Sequence, residues 1–455
     1  TTGSYNHGIG YNALGANTTA SNNVAVGYNS LAANTTGTEN IAVGYAALDA
    51  NTTTSSNTAM GHNALGANTA SDNTAFGRHA LAANTTGTPN TAVGLNALAA
   101  NTTGTNLTAV GYGALDANTT AADNTAVGHN ALGANSTGVQ LTAVGYAALA
   151  SNTTANNNTA VGMGALMVNT TGSECTAVGI EALTANTTAA SNTAVGKSAL
   201  GANTTGASGT AVGTSALASL TTGAKNTAVG AGAGVDVSTA NYNTLVGAEA
   251  GENINVGDSN VCMGRVAGDV ITNGANNVCI GYGTDPSASS GNNAIVIGYA
   301  VTGAGNDRFT FGNGSTDSDI AFGATSITAP SDIRYKEDIE DGSAGLNFIN
   351  DLRPVTFKWK KEKDLPKDHK AYVEGSEKRT MNNDKINHGF IAQEVKEIID
   401  NHPEIKEGFD MWSVDEDGSS DPRQRIGEGA LIPILTKAIQ ELSAKVEDLE
   451  NNNKE

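Results

Sequence analysis

The motif Asn-Thr-Ala-Val-Gly returns along this chain with its glycine at 10, 27, 44, 61, 77, 94, 111 and onward to 298. Eighteen such glycines stand 17 residues apart, with one 16-residue step between Gly61 and Gly77. A period held this strictly makes each repeat one structural unit stacked on the next. The residue before the glycine is apolar: Val26, Val43, Met60, Phe76, Ile280, Ile297. Two before it stands nearly always a small residue (Ala25, Ala42, Ala59, then Cys262 and Cys279), and three before it, from the second repeat on, Thr, Val or Ile. This period-two alternation, rich in β-branched residues, predicts a short strand with two distinct faces. A second apolar column, Leu14, Leu31, Leu48 and on to Leu217, lies four after the glycine.

Seven after the glycine runs an Asn column (Asn17, Asn34, Asn51, through Asn203), and four before it another (Asn23, Asn40, Asn57, Asn260). Asn tolerates left-handed turns, and stacked copies can bond amide to amide. Each period therefore reads as strand, turn, strand, turn: one coil of a mainly β parallel β-solenoid or β-roll. At about 4.8 Å per coil, the steps give a rod of roughly 80 Å. The Ala and Gly columns have little to bury alone, so close approach of identical neighbours, a homotrimer about the rod axis, is expected. The repeat is similar to the head β-roll of trimeric autotransporter adhesins, whose strands carry a comparable apolar-Ala-apolar-Gly motif on shorter coils. The solenoid is expected over 1–300, with variant repeats from about 230, where the Leu column becomes Gly234, Gly251 and Gly268. Residues 301–330, with Phe309, Phe311 and Phe322, read as a neck.

Simpler readings hold for several signals inside the repeat. Asn-Thr-Thr is formally a glycosylation acceptor, but its place in a turn column points to a structural role. Cys262 and Cys279 sit on adjacent coils without further ligands nearby, so they are read as core thiols and no metal site is expected. Thr columns facing a core or a turn argue against ice binding. The Gly-rich stretches open no predicted helix, as a phosphate loop would, so no cofactor is expected. Three cysteines exclude a disulfide scaffold. No apolar run is long enough to span a membrane. The chain opens on Thr1 rather than Met, so an upstream piece is expected.

Composition breaks at Ser331. Residues 1–330 hold 5 Lys/Arg and 16 Asp/Glu, whereas residues 331–455 hold 19 and 28. Both parts are acidic, which argues against a nucleic-acid partner. The second part reads as a small α+β domain over 331–427 with a helix over 428–455. Leu346, Ile349 and Leu352 have helical spacing within 343–352; Pro354 ends that helix, and Val355, Phe357 and Trp359 alternate as a strand. Lys358 to Lys370 reads as a solvated, mixed-charge hairpin tip. His388 to Val395 leads into a helix ending before Pro403, and 411–414 reads as a short strand. Ile432, Leu435, Ile439, Leu442, Val446 and Leu449 form an unbroken heptad seam, which below a trimeric body predicts a three-stranded coiled coil.

Four blocks in this part carry a second resemblance: Ser331-Asp332-x-Arg334-x-Lys336-x-x-Ile339, Arg353-Pro354-Val355-x-Phe357-x-Trp359, Gly389-Phe390-Ile391-Ala392-Gln393-Glu394, and Leu431-Ile432-Pro433. Together they resemble the C-terminal intramolecular chaperone domain of phage tail spikes, endosialidases and tail fibres, a self-cleaving serine peptidase family. The resemblance implies a domain that trimerises, templates assembly of the preceding fibre and is released by cleavage between Pro330 and Ser331. It implies Ser331 as nucleophile and Lys336 as base, with Asp332 positioning Lys336 or capping the next turn. At most this is a single-turnover endopeptidase. The expected function is a virion-tail or extracellular fibre whose partners are its own copies and a cell-surface glycan or protein receptor. A bacterial trimeric surface adhesin is the alternative. A polysaccharide-degrading tail spike is disfavoured, because no irregular insert or carboxylate pair interrupts the repeat.

Overall fold

The computed structural model describes residues 2–324, 339–367, 372–380, 384–405, 411–414 and 424–453. The chain divides into two compact units, Thr1–Pro330 and Ser331–Glu455. In the first, eighteen short strands, β1 (His7–Ile9) to β18 (Ile295–Gly298), pair in parallel, each with the strand one coil further on. Register follows the repeat: Thr125, Ala126 and Val127 lie opposite Thr142, Ala143 and Val144. The unit is a parallel β-solenoid of 17-residue coils. The 16-residue step is absorbed in a turn, where the Asn68 amide donates to a carbonyl two residues on, Ala70, instead of three. Thr58 still faces Thr74.

The core runs inside the coil. The Ala column is fully buried within a single chain, as is the Leu column from Leu31 onward. This corrects the expectation that the Ala residues form an outer face awaiting a neighbour: each points inward against its own coil's leucine. The outward columns are Thr, three before the glycine, and Val, one before it. The strand Thr column thus faces outward half-buried, not toward the core.

The leucines occupy an unexpected backbone position. Leu31, Leu132 and Leu200 all have φ near +50°, the left-handed region. That conformation costs an L-residue about 1–2 kcal/mol. Burying a leucine side chain returns about 1.5–3 kcal/mol, so burial wins. From Gly230 the arrangement is exchanged. Glycine takes the left-handed position at Gly234, Gly251 and Gly268, and the volume returns as Val237, Ile254 and Ile271 in place of the Asn column. Leu245, Cys262 and Cys279 add bulk where alanine stood. The fit is close: a Cβ on Gly234 would lie 2.5 Å from Leu245 Cδ1.

The Asn columns form ladders. Asn118 Nδ2 donates to Asn101 Oδ1 at 2.9 Å and to the Ala121 carbonyl at 3.1 Å, while its Oδ1 accepts from Asn135 at 3.3 Å. These asparagines are buried, and a buried amide without partners would cost about 1–3 kcal/mol. Every polar atom of the Asn118 side chain is used. In the second column the Asn124 amide donates to the Gly138 carbonyl at 2.8 Å, and its oxygen accepts from Leu141 N at 2.9 Å. The solenoid closes with β19 (Arg308–Gly312), parallel to β18, and β20 (Ser318–Ala321), antiparallel to β19. Phe309 and Phe311 pack with ring centroids 5.1 Å apart.

The second unit contains α1 (Leu346–Asp351), β21 (Val355–Phe357), β22 (Asn387–Gly389), α2 (Ala392–Asn401), β23 (Trp412–Val414), β24 (Gln424–Ile426) and α3 (Leu431–Asn452). Strands β21 and β22 pair antiparallel, as do β23 and β24. Phe348, Leu352, Val395, Ile399, Met411, Leu431 and Ile434 form its core. The first helix starts at Leu346, later than the spacing suggested, with Gly345 at its N-cap. Among the described residues, no helix is long and apolar enough to cross a membrane.

Candidate functional site

Pro330, Ser331, Asp332 and Lys336, the cleavage residues expected from the sequence, lie outside the described residues. The motif blocks after them are described, and two are joined. Val355 pairs with Gly389 and Phe357 with Asn387. Beside this pairing, Arg353 Nε donates to Glu394 Oε2 at 2.9 Å while Nη2 engages Oε1. The planar guanidinium matches both carboxylate oxygens and holds the Glu394 carboxyl below its ordinary range. The pair is exposed, so its role is geometric: it fixes the start of α2 against the strand that follows α1.

Two further residues tie the module together, and neither stands out in the sequence. His402, past the end of α2, lies 2.9 Å from Asp351 through Nε2 and 2.7 Å from Glu404 through Nδ1. Those carboxylates, Glu404 first, raise the imidazole's pKa above its usual value, and Phe348 meets its ring edge-on at 5.3 Å. Glu441, on α3, accepts from the Leu346 backbone N–H at 2.9 Å. Glu404, two positions after His402, is a local neighbour in the sequence, whereas Asp351 lies 51 positions away and left no local signal. The Glu441 contact, between residues 95 positions apart, left no local signal.

The helix α3 is amphipathic in two directions. Leu431, Ile434 and Ala438 are buried, and the first two belong to the module's core. The heptad seam faces away: Ile432 and Ile439 are each 66% exposed, and Leu449 63%. A helix serving only its own domain would have turned these residues inward. The mixed-charge segment after β21 holds Lys361 and Lys363 on Glu377, whose carboxyl falls to about 2 under the two ammonium groups.

On the solenoid, the column after the glycine carries exposed aromatic ladders. Tyr11, Tyr28, Tyr45 and His62 stack with centroids 5.1–5.2 Å apart, and Tyr112, His129 and Tyr146 form a second stack. Cys262 and Cys279 are buried in facing register, and the hydrogen bond with Cys279, together with burial, raises the Cys262 thiol's pKa well above its usual range. Raised thiols are poor nucleophiles and poor ligands. Among the described residues, no group of three or more His, Cys, Asp or Glu could hold a metal ion.

The model of a protein family described as chaperone of endosialidase matches residues 331–402. The match opens on Ser331, takes in the joined Arg353 and Glu394 blocks and ends at His402, before α3. Neither a curated protein nor a solved structure matches the chain.

Proposed function

We propose, from a β-solenoid that leads into a chaperone-of-endosialidase module, which is a tail-fibre-type architecture, that this chain is the shaft of a homotrimeric fibre. The C-terminal module brings three copies together, sets their register and is then cut away. The observation that carries this reading is the family match beginning at Ser331, where the repetitive composition ends. The outward seam of α3 supports the trimeric step: six apolar residues at heptad spacing remain for helices of other copies. A solenoid of many near-identical coils needs such a device, because shifting one copy by a whole coil against another costs little in local pairing.

Release is assigned to Ser331 and Lys336. Lys336 takes the proton of the Ser331 hydroxyl, whose oxygen attacks the Pro330 carbonyl carbon. The Pro330–Ser331 C–N bond breaks, the Ser331 amine leaves with a proton, and the ester formed at Oγ is hydrolysed by water. A lysine desolvated in the assembled trimer has its pKa lowered enough to act as base, and attack within one chain supplies a high effective concentration. Asp332 either positions Lys336 or caps the next turn. The mature shaft belongs on a virion tail or an extracellular surface, where its exposed tyrosine ladders meet a cell-surface glycan or protein. Aromatic side chains of this kind are enriched at binding surfaces.

Intact and native mass of the expressed chain test this reading together. The wild type should yield two fragments divided before Ser331 and a trimeric native mass, whereas Ser331→Ala should stay whole. Two fragments from the Ser331→Ala chain would remove the assignment. Deleting residues 331–455 before synthesis should give aggregated or monomeric shaft, while their removal after assembly should leave the shaft trimeric.

A further inference from the structure

We infer that the copies of this chain meet through the outward face of the solenoid sheet, with the valine column before each glycine nearest the shared axis. This rests on the trimeric reading above and says which surface performs it.

The face is defined by burial. In each strand the middle residue points into the coil, and the residues on either side point out. The valine column holds an apolar residue in all eighteen repeats. Val161, Val178 and Val195 in mid-shaft each keep 36% of their surface in water, although every side chain behind them is fully buried. Beside this column runs the threonine column, which carries no Asp, Glu, Lys or Arg in any repeat. Toward the C-terminal end the threonines give way to apolar residues: Val261, Val278 and Ile295, then Phe309. There Ile295, Ile297, Phe309, Ile320 and Phe322 line an open apolar groove. An uncharged face with an apolar side chain left partly in water at nearly every coil is the kind of extended surface that marks an interaction site.

The occupant follows from the spacing. The apolar positions recur once per coil, near 4.8 Å along the rod, over eighteen coils. A partner that matches all of them must carry the same coil rise, and a second copy of this solenoid does. The same chain also leaves the α3 seam uncovered, so two separate parts of it call for copies running in the same direction. Parallel copies in equal register place Val161 beside Val161 of its neighbours. Three copies close a ring about the rod axis, each pressing one flank on the next. The alanine column, sealed inside the coil, has no part in this contact.

Cysteine placement in the full-length chain tests it. Val161→Cys, oxidised with copper–phenanthroline, should move most of the shaft to twice its single-chain mass on a non-reducing denaturing gel. Thr171→Cys, on an exposed turn, should stay at the single-chain mass. A triple variant, Val161→Glu with Val178→Glu and Val195→Glu, should give a monomeric native mass for the shaft once the C-terminal module is removed, while keeping the β-rich circular dichroism of the wild-type shaft. If that variant fails to fold, the cysteine pair decides alone. A trimer in which Val161→Cys does not cross-link, or in which the three glutamates leave the mass unchanged, overturns this face and spares the trimeric reading. A wild-type monomer with an intact solenoid overturns both.

Discussion

Glu441 caps the helix that starts at Leu346: its carboxylate accepts the Leu346 backbone N–H at 2.9 Å, across 95 positions of sequence. Helix α1 has only Gly345 at its N-cap and no capping side chain of its own. Glycine is also what the contact demands there, since a Cβ on Gly345 would come within 2.5 Å of Glu441 Oε1. The carboxylate both satisfies an orphan donor and sits at the positive end of a helix. Glu441→Ala is expected to cost about 1 kcal/mol of module stability, lowering its melting temperature by roughly 4–8 °C. The chain's two tryptophans, Trp359 and Trp412, both lie in this module, so tryptophan fluorescence reports the loss without interference from the solenoid. An unchanged fluorescence melt would remove the cap from the account.

The bridge at His402 gives the module a pH dependence with a definite sign. The folded-state pKa of His402 is raised by Glu404 and Asp351. The stability it adds is therefore fully present below the unfolded value of about 6.5 and is lost as pH rises through the folded value. The tryptophan melt should fall as pH is taken above about 6.5, and His402→Gln should flatten that slope. A wild-type melt that rises or stays level over this range contradicts the bridge.

In the solenoid, Asn118 tests the ladder. Replacing it by Ala removes a partner from Asn101 and from Asn135, both buried. The expected cost is about 1–3 kcal/mol for each group left unpaired. Asn118→Asp keeps the shape but replaces two donors with an acceptor, and should cost more. Denaturant unfolding of the cleaved shaft, followed by far-ultraviolet circular dichroism, ranks the two; equal midpoints to the wild type would mean the ladder contributes little.

Gly128→Ala probes the coil spacing. Gly128 has φ +139°, where an L side chain is strained, and an added Cβ would lie 2.3 Å from the Gly145 carbonyl oxygen. Neither fault can relax without prying two coils apart. Backbone strain of this kind costs about 1–3 kcal/mol before the clash is added. Soluble shaft yield should fall sharply, whereas Ala160→Gly, which removes a buried methyl without strain, should lower the midpoint but leave the shaft soluble. A fully soluble Gly128→Ala shaft of unchanged midpoint would show that the coils have slack.

The strict glycine period, the two Asn columns and the Thr-Ala-Val alternation made the parallel solenoid legible from residues alone, because in such a fold every contact partner sits one period away. The α3 seam was readable for the same reason: a heptad is a local pattern. Other features depended on which way a small side chain points. Alanine two before the glycine suits an exposed close-packed face as well as a narrow core, and only the closed coil, with Leu132 turned in beside it through a left-handed backbone, settles that it is core. The exchange of Leu and Asn for Gly and Ile after Gly230 shows in sequence as a broken pattern, and its meaning as one core refilled from another side appears only in three dimensions.

The residues by themselves determined the repeat, the strand it builds and the boundary at Ser331, because periodicity and charge density are properties of order along a chain. Tertiary structure decided which column is buried, which stays in water, and that Glu441 and His402 hold the module together. Those choices are made by groups brought close from distant positions, and no spacing along the chain records them.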